Sequence, residues 1–141
     1  MSRLSLIGSL PLPAAPERAW EVWSRVEDWP RWEWMGSADA AWIAGEPWTV
    51  GAELRVGHRP FTFDCVVVRA DPPREVAWEG AGAGFHGHHA VRFLPHPAGC
   101  LAQMEETFTG RGARALRPLI RWFWHHQLHA LRGYLLETSP P

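Results

Sequence analysis

The stretch FHGHHAVRFLPHPAGCLAQMEETFTG, residues 85–110, decides how this chain folds. Two alternating runs flank HPAG, residues 96–99, which reads as the loop of an antiparallel hairpin. Neighbours in a strand point to opposite faces. On the first run, Phe85, Gly87, His89, Val91 and Phe93 make the more apolar face; on the second, Ala102, Met104, Glu106 and Phe108 do. A four-residue loop pairs Pro95 with Cys100, which sets Phe93 opposite Ala102, Val91 opposite Met104 and His89 opposite Glu106. A slip by one residue would turn one strand over, so the match of apolar faces selects this register. A histidine and a carboxylate then meet on an otherwise apolar inner face, their Cβ atoms about 5 Å apart.

That pair is the candidate for chemistry. The carboxylate favours imidazolium and burial opposes it. His89 reads as a general acid/base oriented by Glu106; the structural alternative is a buried pair that satisfies itself or orients a ligand. His86 and His88 fall on the opposite face from His89, so the three histidines do not converge on one metal, and no metal site is expected.

Outward from the hairpin, residues 74–80 (REVAWEG) read as a strand with Val76 and Trp78 on one side, and GAGAG, residues 80–84, as a link or bulge. Upstream, residues 60–70 alternate, with Phe61, Phe63, Cys65 and Val67 on one face, before the turn DPP at 71–73. Residues 39–48 and 51–57 give two more strands, and residues 4–12 a first one. Between them Pro16 and Glu17 open a helix, since proline suits the first turn and an acid suits its positive end. EDWPRWEW, residues 27–34, is a second short helix or turn broken by Pro30. Residues 113–137 read as one long helix with Pro118 near its start and a stripe of Leu116, Leu119, Ile120, Phe123, Ala130, Leu131 and Tyr134. Gln127 interrupts that stripe, and a polar amide facing a core needs a partner. His125 and His129 lie opposite it with Arg121 and Arg132, a solvated face.

The chain has 141 residues, 46% hydrophobic and 21% charged, which suits a single folded domain spanning residues 1–141. Net charge is -1, and the arginines are scattered, so no nucleic-acid footprint is present. The two cysteines, Cys65 and Cys100, form no CxxC pair, which argues against a zinc site or a disulfide scaffold. No run approaches the roughly twenty apolar residues of a membrane span, and a cytoplasmic location is expected. Ten tryptophans supply core area and also suit a pocket for flat apolar ligands. There is no Ser-His-Asp arrangement, phosphate loop or nucleotide fingerprint, and no cofactor is expected.

Local motifs go further than the pattern. LPAAPERAWEVWSRVEDWPRWEW, residues 12–34, resembles the opening of the polyketide cyclase/dehydrase and lipid-transport family of the START-like (SRPBCC) superfamily, with Pro16, Ala19, Trp20, Glu27 or Asp28, Trp29, Pro30 and Trp32 as counterparts. ADPPREVAWEG, residues 70–80, is similar to a later strand of that family. In the hairpin, His89, Phe93, Pro95, Gly99, Glu106, Phe108 and Gly110 match its pattern, with Val91 in place of an aromatic. The resemblance covers nearly the whole chain. It implies an α+β helix-grip fold, START/Bet v 1-like: a curved antiparallel sheet wrapped around the C-terminal helix, with an apolar cavity between them. Shared fold does not fix a reaction.

On that fold, the polar cavity groups are His89, Glu106 and Gln127. The apolar lining is Phe63, Cys65, Val67, Trp78, Val91, Met104, Phe108, Ile120 and Phe123. Trp34 and Met35 fall near the cavity entrance, and the hydroxyl of Tyr134 reaches either the cavity or the surface. The expected partner is a small hydrophobic molecule, aromatic or polyketide-like; homodimerisation is a further alternative. Three functional readings follow: a binder that also cyclises or dehydrates its ligand, a non-catalytic lipid or hydrophobic-ligand carrier, and a module that docks another protein through its tryptophans.

Overall fold

The hairpin forms as its alternation dictates. In the computed structural model, which describes residues 2–33, 39–58, 61–82 and 84–138, strand β6 (Phe85–His96) pairs antiparallel with β7 (Gly99–Gly110). Their register joins Pro95 to Cys100, Phe93 to Ala102, Val91 to Met104 and His89 to Glu106. Gly99 turns the chain at φ +136°, and a Cβ there would lie 2.6 Å from the Ala14 backbone, so close approach as well as dihedral calls for glycine.

Five further strands extend this hairpin: β1 (Ser2–Leu12), β2 (Ala41–Ala44), β3 (Glu53–His58), β4 (Phe61–Asp71) and β5 (Glu75–Gly82). The seven lie in the order β1-β7-β6-β5-β4-β3-β2, every neighbour antiparallel, in an open curved sheet. Strand β2 is shorter than the alternation of residues 39–48 predicts. Gly45 at φ +83° and Trp48 at φ 57° turn the backbone out of extended geometry after four residues. The glycine run after Glu79 is not a link: β5 continues through Gly80 and Gly82, pairing with Gly87 and Phe85.

Helix α1 (Pro16–Trp23) starts on its proline, a 3-10 turn (Val26–Asp28) follows, and α2 (Trp29–Trp32) adds one turn. Helix α3 (Arg117–Thr138) is preceded by a 3-10 turn (Ala113–Leu116), with Pro118 in its first turn, where the missing N–H costs nothing.

Most tryptophans build the core. Trp23, 1% exposed, lies within 6 Å, ring centre to ring centre, of Trp20, Trp29, Trp48, Trp78 and Phe93. Two indole N–H groups donate to the backbone where α1 ends: Trp29 to the Trp23 carbonyl at 2.6 Å and Trp48 to the Ser24 carbonyl at 2.8 Å. These bonds satisfy the donors of those two rings, whereas the buried Nε1 of Trp23 and of Trp32 finds no partner among the described residues. On the outer sheet face, Arg92 is shared by Glu75, Glu105 and Gln103, and Glu75 also holds Arg69.

Candidate functional site

Strands β5, β6 and β7 and helix α3 build the surroundings of the inner polar pair. Strands β6 and β7 set His89 and Glu106 side by side, with His89 Nδ1 3.7 Å from Glu106 Oε2 and the two side chains 17% and 13% exposed. Strand β5 brings Trp78 opposite His89, and the rings stack at 4.5 Å and 20°. Helix α3 brings Trp124, whose ring lies 5.3 Å from the His89 ring and whose indole N–H favours the Glu106 anion. Across β7, Leu6 of β1 faces Glu106 and Gly8 faces Met104. Gly8 leaves room for the helix ring: a Cβ there would meet Trp124 Cε3 at 3.8 Å.

Burial outweighs mutual attraction in this pair. Desolvation, with a smaller push from His88, drives the His89 pKa down to about 3. Desolvation drives Glu106 up to about 8, against the Trp124 indole N–H that favours its anion. At neutral pH both groups are therefore uncharged, a neutral imidazole beside a protonated carboxyl. The remaining ring nitrogen, His89 Nε2, is buried and has no hydrogen-bond partner among the described residues.

Beyond His89 the inner face becomes aromatic over glycine. Phe108 lies 5.9 Å from Phe63 and 5.8 Å from Phe85. These rings occupy space that glycines vacate: a Cβ on Gly87 would meet Phe108 at 3.1 Å, and one on Gly82 would meet Phe63 at 2.8 Å. A Cβ on Gly80 would lie 2.5 Å from Cys65 Sγ. Cys65 is buried and its thiol pKa is raised to about 12, mainly by desolvation, which makes it packing and not a nucleophile.

The structure gathers most of the predicted lining and moves some of it. Val67, Trp78, Val91, Met104 and Phe108 are buried in one cluster with Cys65, and Phe63 and Ile120 pack against it half-buried. Gln127 is 9% exposed, on the buried side of α3 as its place in the stripe implied. The stripe itself is rotated. Its buried residues are Trp124, Gln127, Leu128, Leu131 and Leu135, so Leu119 is 58% exposed and Phe123 is half-buried, outside the core cluster. Tyr134 borders a hollow of about 100 Å³ with Arg18, Val22, Arg25, Asp28, Trp32 and Thr138, away from His89. A second hollow, about 290 Å³, lies between Leu10–Pro13, Ala98 and the His129–Arg132 turn of α3. Next to His89 the inner space is filled by the Trp78 and Trp124 rings. Trp34 and Met35 lie outside the described residues.

Trp124 is the site residue that sequence reading missed. Ile120, Trp124, Leu128, Leu131 and Leu135 recur at spacings of four, four, three and four, which is itself a helical stripe. It was masked because α3 also carries Leu119, Trp122, Phe123 and Leu136, so two apolar faces compete.

Solved structures share this architecture at low sequence identity, a likeness of fold alone. A Mesorhizobium loti protein is 14% identical with TM-score 0.80, over 97% of this chain and 100% of its own. Norcoclaurine synthase from Thalictrum flavum, in complex with dopamine and hydroxybenzaldehyde, is 14% identical with TM-score 0.73, over 99% of this chain and 90% of its own. The di-domain ARO/CYC StfQ of the steffimycin biosynthetic pathway is 13% identical with TM-score 0.79, over 97% of this chain and about half, 52%, of its own. Among curated proteins no sequence match is found. The sequence agrees with the fold: residues 8–135 match the family model described as Polyketide cyclase / dehydrase and lipid transport, and the chain belongs to that family.

Proposed function

We propose that this chain binds a small, flat, hydrophobic molecule, aromatic or polyketide-like, against His89 and Glu106 on the inner face of the sheet. The observation that carries the reading is His89 Nε2, buried among aromatic rings with its hydrogen-bonding capacity unused. Leaving such a group unmatched costs roughly 1–3 kcal/mol, which a ligand's polar group would recover. The family supports a hydrophobic ligand. Two neighbours add an aromatic flavour, one crystallised with dopamine and hydroxybenzaldehyde and the other a steffimycin-pathway ARO/CYC.

If chemistry follows binding, the electrostatics cast Glu106 as the acid. With a pKa of about 8 it keeps its proton at pH 7 close to the value best matched to proton transfer. His89, at about 3, is a poor base and a good neutral hydrogen-bonding partner. An acid there would protonate a departing hydroxyl in a dehydration or a carbonyl oxygen in a cyclisation.

Because Trp78 and Trp124 pack against the His89 ring, a molecule entering beside it should change tryptophan emission. Native mass spectrometry of the purified chain should show a retained small molecule, or the emptied chain should titrate with aromatic probes through that emission. Protein that carries no ligand and gives no saturable change with any probe would refute the reading.

A further inference from the structure

Helix α3 carries a second pair of imidazoles, away from the inner face of the sheet. His125 and His129 stand one turn apart on its solvent side, both exposed. A spacing of four lets such side chains meet or splay apart. Here they meet: the ring centres are 4.2 Å apart and the planes are inclined by 48°.

That separation suits two ligands of one metal ion. Metal–imidazole bonds of about 2.0–2.1 Å put the ring centres roughly 4.5 Å apart when the two nitrogens take adjacent, right-angled positions, and roughly 5 Å apart at a tetrahedral angle. The observed distance lies nearer the right-angled case, which fits tetragonal Cu(II) or Ni(II) better than tetrahedral Zn(II). Both ligands stand on one 22-residue helix, so little order is lost when a metal binds. Among the described residues no third histidine, cysteine or carboxylate joins them in a metal-sized group, and the remaining positions fall to water or a small incoming ligand. There is room for one, because His129 borders the hollow of about 290 Å³ at the end of β1. Arg132 borders the same hollow, and Arg121 lies one turn before His125. Their charge opposes a dication, which favours the metal with the highest intrinsic affinity for nitrogen donors, Cu(II).

We propose that His125 and His129 form a two-histidine chelate for a divalent transition metal, with Cu(II) held most tightly.

The full chain would be titrated with CuCl2, NiCl2, ZnCl2 and MgCl2 at pH 7.5 in a weakly coordinating buffer. Cu(II) should bind more tightly than Ni(II) and Zn(II), and Mg(II) should not bind. Electron paramagnetic resonance of the first Cu(II) equivalent should show two imidazole nitrogens on one copper. His125→Gln and His129→Gln should each weaken this first site about tenfold or more, since even a second-shell partner is worth about 10–100-fold. Both positions are exposed, so circular dichroism of the two variants should match wild type. His86 and His88 share the outer face of β6 and are the nearest rivals in sequence pattern. Replacing both by Gln should leave the first site unchanged. Copper held by a single imidazole, a first site that survives either α3 substitution or disappears with the β6 pair, or the absence of saturable Cu(II) binding would each overturn the proposal.

Discussion

Replacing Glu106 by Gln tests the electrostatics of the inner pair through stability alone. Glu106 holds its proton in the folded chain up to about pH 8, whereas an unfolded glutamate loses it near 4.3. Between those values the folded state binds one more proton than the unfolded state, so stability falls as pH rises. His89 acts oppositely. Its folded pKa of about 3 lies below the unfolded value, so its contribution grows as pH rises towards 6.5 and is nearly complete by about pH 7. His129, also depressed, by burial first and then by His125 and Arg132, is nearly complete by the same point. Cys65 and Cys100, raised to about 12 and about 11, cost stability as unfolded thiols begin to ionise towards pH 8, by about 0.3 kcal/mol together, which offsets the like-sized remainder from the two histidines. From pH 7 to pH 8 the slope therefore belongs to Glu106. At up to 1.36 kcal/mol per pH unit, tapering as pH nears 8, the wild-type chain should lose about 1 kcal/mol. For a urea slope near 2 kcal/mol/M, that is roughly 0.5 M in the midpoint. Glu106→Gln keeps the shape and an acceptor for Trp124 but cannot ionise, so its midpoint should be flat over that interval. Urea unfolding at pH 7.0, 7.5 and 8.0, followed by circular dichroism, measures both proteins. A flat wild-type profile, or an equal slope in the Gln variant, would refute the claim that burial keeps this carboxyl protonated.

Trp124→Phe removes the indole N–H that favours the Glu106 anion, so the alkaline loss of stability should begin at higher pH than in wild type, read in the same titration. Gly80→Ala places a methyl 2.5 Å from Cys65 Sγ and 2.6 Å from the Asp64 carbonyl; backbone on one side prevents relief, and thermal unfolding should show a loss of about 1–3 kcal/mol or more. Trp23→Ala empties the centre of the aromatic core and should cost about 3–5 kcal/mol, so a variant within 1 kcal/mol of wild type would show that the cluster is not a single packed unit. The Cys65 thiol, buried and shifted to about 12, should resist iodoacetamide at pH 8 in the folded chain and react once urea unfolds it; mass mapping of rapid labelling at Cys65 in native buffer would contradict its burial.

How much of this was legible beforehand depends on how local the determining physics is. The β6–β7 register followed from two alternations and a short loop, because a period of two leaves only two ways to face a strand and one of them would put Phe93 and Met104 in water. Helix α1 declared itself through Pro16 and Glu17 for a similarly local reason. Strand β5 was harder. Glycines 80 and 82 read as a break because their value lies in Cys65 and Phe63, residues on a neighbouring strand that need the space.

The sequence by itself determined the element order and the meeting of His89 with Glu106, since these rest on periodicity and on pairs set by one hairpin, while the helix-grip fold followed from the resemblance of its motifs to a family. Tertiary structure decided the rest. Helix α3 has two apolar faces in sequence, and only its packing against the sheet chose the one bearing Trp124 and Gln127 and left Leu119 exposed. That choice buries the pair under two indole rings, and burial, a property of the whole assembly, is what leaves His89 neutral and Glu106 protonated.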